Sequence, residues 1–163
     1  MDVTWVIPTN GILYNRTMQL IPKATYLSVI KNSVGVHMFR HNYARVEGVE
    51  TDLLKDGQIS CAFFASFILR AFGLVRELHT RTVGTVKDLE LSGWRTTDTP
   101  HEGDVVLWED QQQKSGVYPH IGFYLDTETA ISHRDTECTP IVHSLTFDGT
   151  RKVTAYYTHD FLA

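Results

Sequence analysis

The spacing of apolar positions changes near Gly93. Between Ser60 and Gly73, the side chains Phe63, Phe64, Phe67, Ile68 and Ala71 recur at helical spacing, with Leu69 widening the stripe. Ser60 suits an N-cap and Gly73 a C′ position, so a buried helix is predicted over Cys61–Phe72. A shorter helix is predicted over Thr85–Ser92, and another over Pro22–Lys31 with Pro22 in its first turn. Beyond Gly93 the runs become short and β-branched or aromatic. Strands are predicted over Asp104–Trp108, His120–Asp126, Ala130–Arg134, Pro140–Phe147 and Lys152–Thr158, with an exposed loop at Asp110–Gly116. A short strand over Thr4–Ile7 would stop at Pro8. Helices first and an antiparallel meander afterwards make this an α+β chain rather than an alternating βαβ one.

A chain of 163 residues is the size of one domain, which is the expectation for residues 1–163. Residues 1–45 are expected to pack as an extension on a core formed by 56–159. The chain is 42% hydrophobic and 21% charged, which excludes a disordered or collagen-like chain. A net charge of −4 weighs against a general nucleic-acid binder. Two cysteines, Cys61 and Cys138, exclude a disulfide-rich scaffold and a four-cysteine zinc site. His79, His101, His143 and His159 show no metal-ligand spacing, so no metal is expected. No apolar run approaches ~18 residues, so no membrane span is expected. The start of the chain lacks the features of a signal peptide. The expected location is the cytoplasm unless another route exports the protein.

Two residues stand out chemically. Cys61 opens the first predicted helix, where unpaired N–H groups and the helix dipole favour a thiolate and lower the thiol pKa. Those N–H groups also suit a developing oxyanion. His120 opens His-Ile-Gly-Phe-Tyr-Leu. As a strand, this run puts Ile121, Phe123 and Leu125 on a core face and His120, Gly122 and Tyr124 on the other. Gly122 permits close approach of another backbone, and the thiol-bearing helix start is expected there. A Cys–His pair from distant positions is the usual way to build a thiol nucleophile with its base. A third group must orient the imidazole. His133 is the leading candidate, with Asp126, Asp135 and Glu137 as competitors. Trp94 reads as a packing tryptophan or as a substrate platform. Trp108 reads as core, Cys138 as a spare thiol, and Arg70, Arg76 and Arg81 as solvated charges.

Taken in order, Cys61 at a helix start, Pro100-His101-Glu102-Gly103-Asp104-Val105-Val106, and His120-Ile121-Gly122-Phe123-Tyr124, followed by a polar residue on the next strand, resemble the NlpC/P60 family. The likeness covers roughly residues 56–135. This chain carries Ser60-Cys61-Ala62-Phe63 where the family usually has Asp-Cys-Ser-Gly. Tyr43, 18 residues before Cys61, is the nearest tyrosine to the family's upstream substrate-side tyrosine. The resemblance implies a papain-like fold and a cysteine hydrolase of cell-wall peptides. In that reading Cys61 attacks an amide and His120 is the base that His133 orients. Ser60, Tyr43 and Trp94 are the substrate-side candidates. The implied partner is a peptide or peptidoglycan fragment bound by a monomer, with no cofactor and no nucleic acid. The other readings are a CHAP-type amidase, a transglutaminase-like acyl transferase, or an inactive peptide-binding module on the same scaffold.

Overall fold

The computed structural model describes residues 8–9, 12–13, 19–113 and 116–163. The strand expected over Thr4–Ile7 lies outside them. The elements run β1 (Pro8–Thr9), β2 (Ile12–Leu13), α1 (Pro22–Asn32), β3 (Tyr43–Val46), β4 (Val49–Asp52), α2 (Cys61–Ala71), α3 (Thr82–Leu91), β5 (Arg95–Thr96), β6 (Val105–Gln113), β7 (Gly116–Tyr124), β8 (Thr129–Arg134), β9 (Thr139–Ser144) and β10 (Val153–Thr158), with a final 3₁₀ turn at Asp160–Leu162. Six strands form one antiparallel sheet in the order β5-β10-β6-β7-β8-β9. This is an α+β architecture, as the order of patterns along the chain implies. Among the described residues, no helix is long and apolar enough to cross a membrane.

The apolar stripe of α2 is what holds it on the sheet. Phe64, Ala65, Ile68 and Leu69 are fully buried and share one cluster with Ile121, Phe123 and Ile131 from the sheet. Phe64 meets Phe123 edge-on, with ring centroids 5.5 Å apart. From α1, Tyr26 and Ile30, one helical turn apart, enter the same cluster. A second cluster of Val106, Trp108, Tyr124, Ala130 and Leu145 covers the opposite face of the sheet.

Several boundaries differ from the sequence expectation. α3 begins at Thr82 because Arg81 is extended and its carbonyl accepts the first turn's N–H groups from Gly84 and Thr85. The segment read as a loop over Asp110–Gly116 instead prolongs the hairpin, with Gln111 paired to Tyr118 and Gln113 to Gly116 after a bulge beyond Trp108. The hairpin β3–β4 was not expected. It turns at Glu47-Gly48, where both φ angles are positive, the geometry that matches strand twist.

The Gly103-Asp104 pair serves the fold. Gly103 sits at φ +93 beneath α1, and a Cβ there would lie 2.7 Å from Leu27 Cδ2 and 2.9 Å from Tyr26 Cε1. The Tyr26 hydroxyl donates to the Gly103 carbonyl at 2.8 Å. Asp104 is fully buried and accepts from the His101 N–H at 2.8 Å, fixing the start of β6.

Candidate active site

Cys61 is the first residue of α2 and is half-buried. Ser60 occupies the N-cap position but makes no side-chain cap bond; its Oγ is buried without a partner. The capping role expected of Ser60 is therefore absent. Both residues line a cleft of about 1460 Å³, as do Thr82, His120 and His133.

The thiol sits where two strands part. β7 and β8 pair only through Phe123–Ile131 and Tyr124–Ala130. The Tyr124 N–H donates to the Asp104 carbonyl on the other side, so by alternation the Ile121 N–H faces the gap toward β8. The Cys61 sulfur fills that place, with the Ile121 and Ala62 N–H groups and the Thr82 hydroxyl directed at it. These donors favour a thiolate, and the Arg151 charge does too, but burial outweighs them and pushes the thiol pKa up. The helix-start argument anticipated a lowered pKa. The structure differs because desolvation is the largest effect at this sulfur.

His120 reaches the cleft from the other face of the sheet. α2 packs on the Ile121–Phe123 face, whereas the His120 ring lies 5.4 Å from Trp108 and 5.6 Å from Phe147. The expectation that the thiol helix covers the His120–Gly122–Tyr124 face is thus corrected. What approaches Gly122 is β8, since a Cβ there would lie 2.4 Å from the Ile131 carbonyl and 2.7 Å from Ser132 Cβ.

That close approach supplies the orienting group. His120 Nε2 is 2.7 Å from Ser132 Oγ, and Ser132 Oγ is 2.7 Å from His143 Nε2. His143 Nδ1 is 2.9 Å from the Ser144 carbonyl. A carbonyl only accepts, so His143 carries its proton on Nδ1 when neutral. Its Nε2 then accepts from the Ser132 hydroxyl, which leaves the Ser132 oxygen to accept from His120 Nε2–H. The relay fixes His120 as the Nε2–H tautomer and leaves Nδ1 with the basic lone pair. Burial holds both imidazoles below their ordinary pKa, and the positive charge of Arg151 adds to the effect at His120.

Phe147 closes this corner. It stacks on His143 at 4.1 Å and adopts φ 51, a left-handed conformation rare for a bulky side chain.

The remaining candidates fall in different places. His133 lies on the α2 face of β8, almost fully buried, with neither ring nitrogen hydrogen-bonded. The Cys138 carbonyl faces the ring and raises its pKa without reaching hydrogen-bond geometry, yet burial still lowers the pKa to about 4. Ser132, and not His133, is therefore the partner of His120. Asp126 caps its own turn through Glu128 and Thr129. Asp135 and Glu137 form no bond with His120. Tyr43 is exposed on β3, stacks on His41 and does not line the cleft. Trp94 is core, its Nε1–H donating to the Leu74 carbonyl at 2.8 Å. Ser132, His143 and Phe147 were missed by sequence reasoning. The signal for Ser132 was its strand face, since it lies level with Gly122 once β8 follows β7. Among the described residues, no group of three His, Cys, Asp or Glu side chains is placed to hold a metal ion.

No protein-family model matches the chain, and no curated protein matches it. The site therefore rests on its own geometry: an α+β protein with a thiol at a helix start and a tautomer-locked imidazole in one cleft.

Proposed function

We propose that the protein is a cysteine amide hydrolase of papain-like, NlpC/P60-type architecture, acting on a peptide or isopeptide amide such as a peptidoglycan stem peptide. The observation that carries this reading is the His120–Ser132–His143 relay. It leaves a bare Nδ1 in the cleft that holds the Cys61 thiol. In the resting site both groups are neutral. On substrate binding, His120 Nδ1 takes the thiol proton as sulfur attacks the amide carbonyl. The Ala62 and Ile121 N–H groups and the Thr82 hydroxyl hold the thiolate as it forms. The imidazolium then protonates the leaving amine, and water hydrolyses the thioester.

The test is iodoacetamide alkylation in the Cys138→Ala background across pH, with and without His120→Ala, followed by muropeptide digestion. Cys61 labelling should keep rising as pH passes the ordinary cysteine range, because its pKa is raised, and should slow without His120. Digestion should release a new amine only when Cys61 is present. Labelling indifferent to His120→Ala, together with no amine release, would instead favour a peptide-binding module on this scaffold.

A further inference from the structure

Among the described residues, Arg151 is a buried cation with no carboxylate paired to it. It is 4% exposed, yet its guanidinium bonds only to backbone carbonyls, Nε–H to Glu109 at 2.9 Å and Nη2 to Tyr118 at 2.8 Å. Among the described residues, no carboxylate forms an ion pair with it or with Arg134. Glu109 and Asp110 act on Arg151 only at longer range, and Glu109 is itself engaged by the Lys152 N–H at 2.9 Å. Burying a guanidinium is costly unless an anion compensates it. Arg134 lies 4.8 Å from the centroid of the Phe147 ring and Arg151 lies 5.9 Å from it. Both line the same cleft as Cys61 and His120, and the Arg151 charge is felt at the Cys61 sulfur.

We propose that Arg151 and Arg134 form a carboxylate-binding subsite beside the Cys61 thiol, so that the amide processed here carries a free carboxylate close to the scissile bond. The proposal rests on the reading of Cys61 as the nucleophile. A guanidinium held by its Nε and one Nη presents its remaining N–H groups in a planar fork suited to a carboxylate. Both guanidiniums lie against the Phe147 ring, and a bound carboxylate supplies the missing counter-charge. An acidic residue's side chain or a peptide's terminal carboxylate would serve equally, since the recognised chemistry is the same.

The experiment compares iodoacetate with iodoacetamide on Cys61 in the Cys138→Ala protein. Both reagents consume the same thiolate, so the ratio of their rates cancels any change in thiol pKa and reports only attraction for the carboxylate. The ratio should exceed that of free cysteine, and Arg134→Gln should lower it by about tenfold, the factor supplied by roughly 1.4 kcal/mol of charge–charge attraction. Arg151→Gln should act in the same direction; Arg134 is the primary variant because it is less deeply buried. A ratio equal to that of free cysteine and unmoved by Arg134→Gln overturns the subsite while leaving the nucleophile intact. If neither reagent labels Cys61, the nucleophile reading falls. Glutarate titrated into the Cys61→Ala protein then decides the subsite alone. Saturable NMR shifts that Arg134→Gln abolishes support it, and their absence overturns it. Peptide pairs differing only as acid and amide, read as kcat/KM, distinguish a side-chain from a terminal carboxylate.

Discussion

The proton positions in the His120–Ser132–His143 relay follow from one backbone carbonyl. Because the Ser144 carbonyl can only accept, every donor upstream of it is assigned. Two outcomes follow at this scale. In nitrogen-15 spectra, His120 should show the Nε2–H tautomer at neutral pH, and His143→Phe should mix the two tautomers. Under the proposed hydrolase reading, Ser132→Ala should lower amide turnover by roughly 10- to 100-fold with little change in thermal stability, the loss expected when a general base is no longer oriented. Equal loss of stability and turnover would make Ser132 a packing residue. His120 was recognisable from its motif, and Cys61 from its place at a helix start. Ser132 and His143 were not, because one hydroxyl and one imidazole among eight histidines acquire a role only when three strands align them.

The elements differ in how plainly the chain announces them. α2 was legible to within a residue because a fully apolar stripe between a serine and a glycine has no other stable use. α3 began three residues earlier than predicted, since the carbonyl of the extended Arg81 accepts from the first turn. The hairpin β3–β4 was illegible because its faces are largely exposed and leave no alternation to read. At β7, the glycine after His120 was read correctly as a point of close approach, but the partner was β8 rather than the helix. Gly122→Ala tests that contact. A Cβ 2.4 Å from the Ile131 carbonyl must push the strands apart. A thermal or denaturant melt should show a loss of at least about 2 kcal/mol. The His120 Nε2–Ser132 bond should weaken at the same time, which the tautomer spectra would register.

For the molecule as a whole, the buried imidazoles make the fold acid-sensitive. His133 titrates at about 4 in the folded state against an ordinary value of 6.5, and burial also lowers His120 and His143. A histidine lowered on folding binds its proton more readily in the unfolded chain. The stability it contributes is therefore complete above pH 6.5 and is lost as pH falls toward 4. For His133 alone the loss is on the order of 3 kcal/mol. Melts across this range should show a falling transition temperature, and His133→Leu should flatten part of the fall. A pH-independent melt would contradict the burial of these rings.

The sequence by itself determined the α+β class, the position of the buried helix, the strands of the second half, and Cys61 and His120 as the residues to examine. These are local matters: period, capping and turn chemistry are written in consecutive residues. Tertiary structure decided which face of the sheet the helix covers, that Ser132 and His143 rather than His133 hold His120, and that Cys61 is desolvated. It also decided that, among the described residues, no carboxylate pairs with the buried Arg151. Each depends on strand register and on what surrounds a group in space, and neither quantity is carried by the order of neighbouring residues.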